Sequence, residues 1–311
     1  MNLNAFISKA AAPVNFITSW EAPSNIALIK YWGKEDIQIP KNPSLSFTLS
    51  SSVTKTSVNF KPSNSENFDF DFFFDGTLRP DFNPKLLTFF KNIEYYIPWI
   101  NGYKLIIKSN NSFPHSSGIA SSASAMAALA LCIVDFEKQH HPDWSEEACL
   151  QKASFLARLG SGSAARSIAG PIMVWGESAP FSASSDQYAI VPRGEWHPVF
   201  QNYQDTVLIV DKGQKKVSST LGHGLMVGHP FAAQRFEQAH QKMVALKNGV
   251  KLTPWHPVYV NNEWKFPNDI GKLVRYDNID YIYNAVLDKG HSLMITGTLI
   301  PDSLKAQFPS E

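Results

Sequence analysis

The segment Ala120–Gln139 is rich in alanine and apolar along most of its length, and it limits the folds that are open to this chain. Its length favours a helix over a strand. A helix that is apolar on every side is buried in the core of a protein. The chain must therefore supply a sheet or further helices that cover this segment.

Further strands and helices are predicted before and after this helix in the sequence. The predicted strands are Phe16–Leu28 with an interruption at Pro23, Ser44–Phe60, Phe68–Phe74 followed by a turn at Asp75-Gly76, Tyr103–Ser109, Ile168–Trp175 and Thr206–Asp211. The other predicted helices are Ser145–Leu159, with Ser145 as its N-cap and Gly160 at its end, and Pro230–Lys247, with Gly249 just beyond it. Strands and helices are mixed without regular βαβ alternation, so the predicted fold class is α+β. A domain junction is expected within Pro180–Gln204.

Composition excludes several classes of protein. In 311 residues, 28 Lys and Arg stand against 27 Asp and Glu, and 44% of the residues are hydrophobic. These values exclude a disordered chain and argue against a nucleic-acid binder held by bulk charge. No apolar run approaches the roughly 20 residues of a membrane-spanning helix, and residues 1–20 lack the apolar region of a secretory signal. The two cysteines, Cys132 and Cys149, are both interpreted as apolar core residues. The sequence therefore predicts a cytoplasmic protein with no nucleic-acid or membrane partner.

The segment that leads into the apolar helix, Pro114–Ser124, consists mainly of small and hydroxylated residues. A helix N-terminus offers unpaired N–H groups and a partial positive charge, and small residues let an anion approach the backbone. The segment therefore predicts a phosphate site. A serine-rich loop that only caps the helix is an equally weighted alternative.

Three further segments carry charge or hydroxyl groups. Gly160–Ser167 surrounds Arg166 with glycines and hydroxyls, and a guanidinium fork suits a carboxylate or phosphate; a helix end with a solvent-facing Arg is the alternative. Ala22–Lys34 places two lysines around an aromatic pair, with a plain strand end as the alternative. Asp211–Thr220 is basic and hydroxylated, although such stretches are usually solvated turns. Three separate hydroxyl-rich or basic elements together predict a ligand with several phosphates, such as a nucleotide with a phosphorylated small molecule.

These segments resemble the diphosphomevalonate decarboxylase family of the GHMP small-molecule kinase superfamily. The resemblance covers most of residues 16–247 and runs through Ala22–Lys34, Asn42–Ser46, Phe113–Ser124, Arg158–Gly176 and Lys215–Thr220. It implies a GHMP-kinase-like fold with a ribosomal-S5-like N-terminal domain, taken as residues 1–195, and a ferredoxin-like C-terminal domain, taken as residues 196–311. The active site would lie in the cleft between the two domains. Homodimers are common in this family, so a homodimer is an expected assembly.

The resemblance also implies a reaction that uses ATP and Mg²⁺. The 3-hydroxyl of mevalonate 5-diphosphate is phosphorylated, and phosphate and CO₂ then leave to give isopentenyl diphosphate. Phosphoryl transfer needs positioning and charge neutralisation more than covalent help from the protein, which suits the residue types in these segments.

The roles of individual residues follow from the resemblance. Contacts to the substrate diphosphate are implied for Tyr31, Lys34, Ser218 and Ser219. The rest of the substrate would be held by Ser161, Ser163 and Arg166; catalytic roles are implied for Ser163 and Arg166, and Arg166 is best placed for the carboxylate. The ATP phosphates would be cradled by Pro114, Ser117, Gly118, Ala120, Ser121 and Ser122. The resemblance assigns no residue as a metal ligand.

The tail from Gly249 onward departs from the family pattern. The family carries a late Asp-Ala-Gly-Pro-Asn stretch whose Asp lies against the 3-hydroxyl, and this stretch is missing here. The acidic candidates in the tail, none of which has that context, are Asp269, Asp277, Asp280, Asp288 and Asp302. Three interpretations stay open: a divergent tail that still delivers an Asp, a replaced segment, and lost decarboxylase chemistry. A related kinase acting on mevalonate or its phosphate, and a non-catalytic protein that binds such metabolites, are the alternative functions.

Overall fold

A seven-stranded mixed sheet lies at the centre of the computed structural model, which describes residues 3–8, 14–65, 67–114, 119–193, 203–209, 224–247, 258–260, 263–265, 281–288 and 292–299. The strands of this sheet are β1 (Phe16–Ile29), β4 (Ser44–Pro62), β5 (Asp69–Phe74), β6 (Thr77–Leu78), β7 (Tyr103–Asn111), β8 (Ile172–Trp175) and β9 (Ala189–Ile190). Two short strands, β2 (Lys34–Glu35) and β3 (Ile39–Pro40), form a separate hairpin.

Strand β4 is the element around which the sheet is built. Along one side it pairs antiparallel with β1, and along the other it pairs with β7 and, at its beginning, with β8. The strand predicted from the alternation in Ser44–Phe60 is therefore confirmed. The predicted interruption at Pro23 is a shift in the β1–β4 register between Pro23 and Ser24, within a strand that continues to Ile29.

Within the described ranges, four helices accompany the strands: α1 (Asn83–Ile93), α2 (Ser121–Lys138), α3 (Glu146–Gly160) and α4 (Ala232–Lys247). Helix α2 packs on β1 and β4, and α3 packs on α2. Ala127, Ala128 and Cys132 on α2 are fully buried, which confirms the prediction of a helix inside the core. The predicted N-cap of α3 is also confirmed, because the Ser145 hydroxyl accepts a hydrogen bond from the Ala148 N–H at 3.1 Å.

Helix α1 was not predicted from the sequence. Its four buried residues, Leu86, Phe89, Phe90 and Ile93, follow helical spacing and pack into the main core. That i, i+3, i+4, i+7 pattern is the signal that identifies an amphipathic helix.

The strand predicted over Ile168–Trp175 is too long at its beginning, since β8 starts at Ile172. Ile168 follows a 3-10 turn, Gly162–Ser167, and so belongs to the end of that turn. Pro171, directly before β8, has no N–H to donate to a ladder, which explains why pairing starts only after it.

The later part of the chain adds a second sheet. Strands β10 (Tyr203–Ile209), β14 (Ser292–Leu299) and β13 (Tyr281–Asp288) pair antiparallel in that order, and β11 (Val258–Val260) pairs with β12 (Glu263–Lys265). Strand β10 overlaps the predicted Thr206–Asp211, whose last residues lie outside the described ranges. The predicted domain junction, Pro180–Gln204, includes residues 194–202, which also lie outside the described ranges.

Helix α4 packs on the seven-stranded sheet. Ala239 and Met243 are buried in a cluster with Ile29, Leu45, Ile172, Val174 and Phe181, which joins α4 to β1, β4 and β8. The helix begins at Ala232, two residues later than predicted, because the chain is still turning at Pro230: the Ala232 N–H donates to the His229 carbonyl at 3.0 Å. Within the described ranges, no helix combines the length and apolar character that crossing a membrane requires.

Candidate functional site

Arg166 is a buried cation in the 3-10 turn that follows α3. Arg166 is 2% exposed. The alternative interpretation from the sequence, a solvent-facing Arg, is therefore wrong. Its Nη1 donates to the Ser44 hydroxyl, and its Nε lies 3.4 Å from Asn25 Oδ1. Both partners are neutral. Among the residues that the structure describes, no carboxylate forms an ion pair with Arg166.

Two aromatic rings complete the surroundings of Arg166. Its guanidinium carbon lies 5.6 Å from the ring centre of Tyr31 and 5.7 Å from that of Trp175. Burial lowers the pKa of Arg166 to about 10, and the nearby Tyr31 opposes that shift. Burial likewise raises the pKa of Tyr31, while Arg166 acts in the opposite direction. A buried charge without a counter-charge is costly, so an anionic ligand next to Arg166 would relieve that cost.

Asn25 on β1 holds the turn in place. Its Nδ2 donates to the Ser163 carbonyl at 3.1 Å and to the Ser167 hydroxyl at 2.7 Å. Its Oδ1 accepts from Arg166. Asn25 is not among the predicted site residues. A polar residue in an apolar strand, inside the family-like string Ala22–Lys34, is nevertheless a sequence signal for it, because buried polar groups need partners.

Gly162 is the point at which three segments meet. A Cβ atom on this residue would lie 2.9 Å from Trp175 Cη2, 3.2 Å from Tyr31 Oη and 3.3 Å from Gln38 Oε1. Trp175 belongs to β8, Tyr31 follows β1, and Gln38 lies in the turn between β2 and β3. These contacts leave no room for a side chain at Gly162, which accounts for the glycine in the predicted Gly160–Ser167 motif.

Lys34 begins the β2–β3 hairpin and is half-buried. Its ammonium donates to Gln38 Oε1 at 3.1 Å, and burial lowers its pKa. No carboxylate is paired with Lys34 in the part of the chain that the structure describes. The hairpin therefore carries a second cation, Lys34, that has no ion-pair partner among the residues shown by the structure.

The loop between β1 and β2 is fixed from two sides. The buried Asn42 accepts a hydrogen bond from the Trp32 N–H at 2.9 Å and donates to the Lys30 carbonyl at 3.0 Å. From α4, the Arg235 guanidinium lies 5.3 Å from the ring centre of Trp32, and the Phe236 ring packs so closely that a Cβ on Gly33 would lie 3.0 Å from it. The loop that carries Tyr31 is therefore held in a defined conformation.

The N-terminus of α2 is the predicted phosphate site. Its N-cap residue is Ala120, in the left-handed region with φ 49°, and the described residues show no side-chain hydrogen bond that caps the helix there. Ser121 and Ser122 in the first turn are half-buried, whereas Ser124 is buried and its hydroxyl lies 2.6 Å from that of Thr54. First-turn N–H groups suit an anion, but Ser116 and Ser117, the serines of the capping alternative, lie outside the described ranges, so the phosphate site stays a prediction.

The structure brings together one group of the predicted residues. Tyr31, Lys34, Ser163 and Arg166 cluster around Gly162, with Ser161 directly before it as the half-buried C-cap of α3. The Gly162–Ser167 turn also packs against α2, whose first turn carries the predicted Ala120, Ser121 and Ser122. Pro114 is described and exposed at the edge of the loop, while Ser117, Gly118, Ser218 and Ser219 lie outside the described ranges.

Two family models match this chain. Residues 22–189 match a model described as a diphosphomevalonate decarboxylase-like N-terminal domain, and residues 232–300 match a model described as a Hint-domain. The first match spans more than half of the chain and includes every predicted site residue except Ser218 and Ser219.

Individual curated proteins that are similar to this chain are diphosphomevalonate decarboxylases as well. The diphosphomevalonate decarboxylase of Candida albicans is 32% identical over 250 residues, which cover 76% of this chain and 66% of that protein. The chain spans only about half the length of other curated diphosphomevalonate decarboxylases that it matches.

Solved structures extend the likeness to most of the chain. The mevalonate diphosphate decarboxylase of Staphylococcus aureus is 25% identical, with a TM-score of 0.60 and coverage of 94% of this chain and 90% of that one. The structure of MDDEF in complex with MVAPP, AMPPCP and magnesium is 22% identical, with a TM-score of 0.65 and coverage of 94% and 91%. The expected α+β, GHMP-kinase-like fold is thereby confirmed.

Proposed function

This chain belongs to the diphosphomevalonate decarboxylase-like family, and from that membership we propose that it is an ATP-dependent decarboxylase that converts mevalonate 5-diphosphate to isopentenyl diphosphate. The observation that carries the proposal is the buried guanidinium of Arg166, which has two neutral hydrogen-bond partners and no ion-pair partner among the described residues. Such a group is stabilised by a bound anion. The substrate carboxylate is the anion that a decarboxylase must hold next to the reacting carbon.

Two cationic groups match the two charged ends of this substrate. Arg166, with Ser161 and Ser163 beside it, would hold the carboxylate end. Lys34 and Tyr31, with Ser218 and Ser219 from outside the described ranges, would hold the diphosphate. Because Gly162 contacts both Tyr31 and Gln38, the partner of Lys34, the two ends of the site are linked by direct packing.

ATP would bind with its phosphates at the start of α2. The first-turn N–H groups and the half-buried hydroxyls of Ser121 and Ser122 fit an anion there. Mg²⁺ would arrive with the nucleotide, since the described residues contain no cluster of three or more His, Cys, Asp or Glu side chains that would hold a metal ion. The bound ion supplies charge neutralisation to the phosphates.

The proposed chemistry breaks the reaction into phosphorylation and fragmentation. The 3-hydroxyl oxygen attacks the γ-phosphorus of ATP, ADP leaves, and the hydroxyl proton passes to a base or to water. The C3–O bond then breaks with its electron pair going to phosphate, and the electron pair of the bond to the carboxylate forms the double bond as CO₂ leaves. Arg166 would orient the carboxylate for this step while the surrounding Tyr31 and Trp175 exclude water.

We also infer a cytoplasmic enzyme that assembles as a homodimer and is divided into residues 1–195 and 196–311. The buried free thiol of Cys132 suits a reducing compartment. The seven-stranded sheet falls in the first range and the three-stranded sheet in the second, which supports the division. Helix α4 of the second range packs on the first, so the two ranges share part of their core.

A second candidate function, ligand binding without decarboxylation, is favoured by one observation. The Hint-domain match over residues 232–300 covers most of the tail in which the family's late Asp-Ala-Gly-Pro-Asn stretch is missing. A replaced tail would remove the carboxylate that orients the 3-hydroxyl, and such a group contributes roughly 10²–10⁴ in rate.

One incubation separates these functions. The full chain is mixed with ATP, Mg²⁺ and mevalonate 5-diphosphate, and ADP and isopentenyl diphosphate are followed together; mevalonate and its 5-phosphate are tested in parallel. We expect both products in equal amounts. ADP alone would replace the proposal with a kinase function, and binding of the substrate without either product would replace it with the binding function.

Variants connect the outcome to the site. Arg166→Met should lower kcat/KM by about 10²-fold or more, because it removes a charge-assisted contact to the substrate. The matched control is Arg79→Met, which removes an Arg paired with Asp81 in an exposed segment. Equal activity of the two variants would contradict the role of Arg166.

A further inference from the structure

The ammonium of Lys34 is held by a neutral group. Gln38 Oε1 accepts its hydrogen bond at 3.1 Å across the β2–β3 hairpin. An amide oxygen orients an ammonium without cancelling its charge, whereas a carboxylate at the same place would form an ion pair with it. An ammonium has three N–H donors, and within the described part of the chain Gln38 accepts from one of them.

The position of Gln38 is fixed by its neighbours. Its backbone lies in the left-handed region with φ 62°, and its N–H donates to the Asp36 carbonyl at 3.0 Å. The preceding carbonyl, that of Ile37, accepts from Nη1 of the buried Arg158 at 2.6 Å. Arg158 also donates to the Gln187 carbonyl at 2.8 Å. Helix α3 therefore anchors the turn that presents the Gln38 amide.

The Gln38 amide also contacts the Arg166 turn. A Cβ on Gly162 would lie 3.3 Å from Gln38 Oε1 and 3.2 Å from the hydroxyl of Tyr31. The same oxygen thus touches the segment that carries Ser163 and Arg166 and accepts the hydrogen bond of Lys34. A carboxylate at this point would place a negative charge next to the Lys34 ammonium.

We propose that Gln38 is a positioning residue for Lys34: it orients the ammonium and, by being neutral, leaves its full charge available to the diphosphate of the substrate. The inference rests on the proposed function, because the diphosphate is the ligand that this function assigns to Lys34. The inference requires a neutral side chain at residue 38, in addition to any requirement for its shape.

The test is the order of three variants. Gln38→Ala and Gln38→Met remove the acceptor and should raise KM for mevalonate 5-diphosphate about fivefold, the effect of losing one hydrogen bond. Gln38→Glu keeps size and acceptor but adds a negative charge, and should raise KM about tenfold or more because it competes with the diphosphate. The effect on kcat should stay within about threefold, since Gln38 acts on binding. A purely structural role predicts the reverse order, with the near-isosteric Glu least harmful.

A second readout does not depend on turnover. Binding of inorganic pyrophosphate to the full chain is measured by calorimetry for the same variants, with Gln139→Glu as the control, which makes the same charge change at an exposed position at the end of α2. We expect Gln38→Glu to weaken pyrophosphate binding most and Gln139→Glu to leave it unchanged.

The outcomes separate the inference from the proposed function. Wild-type affinity in Gln38→Glu, or a larger loss in Gln38→Ala than in Gln38→Glu, would overturn the inference while leaving the proposed function intact. The expected order of pyrophosphate affinities in a protein without turnover would support the inference and overturn the proposed function. A folded wild-type chain that binds neither pyrophosphate nor mevalonate 5-diphosphate would overturn both.

Discussion

Asn25 donates a hydrogen bond of 2.7 Å to the hydroxyl of Ser167, and through it strand β1 holds the turn that carries Arg166. Because Asn25 also accepts from Arg166 itself, one side chain sets both the backbone of the turn and the direction of the guanidinium. The site therefore depends on the contact between a strand and a turn that lie far apart in the sequence.

Removing this link should damage activity and stability together. Asn25→Ala leaves the Ser163 carbonyl and the Ser167 hydroxyl without a buried partner, so we expect the free energy of unfolding to fall by about 2 kcal/mol. We expect kcat/KM to fall by about 10²-fold, because small displacements of positioning groups have effects of this size. Urea denaturation and steady-state kinetics measure the two effects. Asn101→Ala, which removes a 2.6 Å bond to Glu94 away from the site, is the control; equal kcat/KM in both variants would contradict the role of Asn25.

Gly162 should tolerate no side chain. In Gly162→Ala the new Cβ would lie 2.9 Å from Trp175, so the rings around Arg166 must move, and we expect a loss of about 1–3 kcal/mol in the free energy of unfolding. Activity should fall with it. Gly102→Ala is the matched control, because a Cβ there would meet no atom within 4 Å. The prediction fails if the two variants have the same stability.

The pH dependence of substrate capture should reflect Lys34. Burial lowers the pKa of Lys34 below its ordinary value of 10.5, and only the charged form attracts the diphosphate. As the pH rises through this lowered pKa, kcat/KM should therefore decline at a lower pH than an exposed lysine would produce, since kcat/KM reports ionisations of the free enzyme.

The variant that checks this assignment is Lys34→Arg. An arginine stays charged throughout this range, so the alkaline decline of kcat/KM should move to higher pH even if the maximal rate is lower. Lys55→Arg, at an exposed site paired with Glu21, should leave the profile unchanged. An unchanged alkaline limb in Lys34→Arg would assign the ionisation to another group.

Helix α4 should stabilise the seven-stranded sheet even though it lies within the range that matches a Hint-domain. Met243 is fully buried against β1, β4 and β8, so Met243→Ala should cost about 2–4 kcal/mol in the free energy of unfolding through the cavity that it leaves. The neighbouring Val244→Ala, at a position that is 45% exposed, should cost less than about 1 kcal/mol. Urea denaturation of both variants measures the difference, and equal losses would show that α4 does not dock as described.

The elements that the sequence predicts well are those with a local signal. The predictions for helix α2 and strand β4 agree with the structure to within a few residues, because an unbroken apolar run and a long alternation are each compatible with few kinds of secondary structure. The turn at Asp75-Gly76 also has a local signal, the Asp-Gly pair itself. The structure has both residues in the left-handed region there. The family-like motifs also led to Arg166 and Lys34 as candidate ligand-binding cations.

The hydrogen-bond partners of Arg166 and Lys34 could not be predicted from the sequence. Asn25 and Ser44 contact Arg166, and Gln38 contacts Lys34. The two contacts to Arg166 join residues more than 100 positions apart. Nothing in the local pattern predicts such pairs, because they exist only once the sheet brings β1, β4 and the Gly162–Ser167 turn together. The late acidic residue expected from the family resemblance is a different case, since the tail lacks the motif itself.

Strand β4 also sets the order in which the chain can assemble during synthesis. Residues 44–47 reach their neighbour on one side only when Ile172–Trp175 has been made, and the buried cluster around Leu45 is complete only with Met243. Until then a nascent chain would present Leu45 and Ile29 without their cover, a state that favours association with other chains. The ribosome must therefore deliver residues from well beyond the middle of the sequence before β1 and β4 are fully covered.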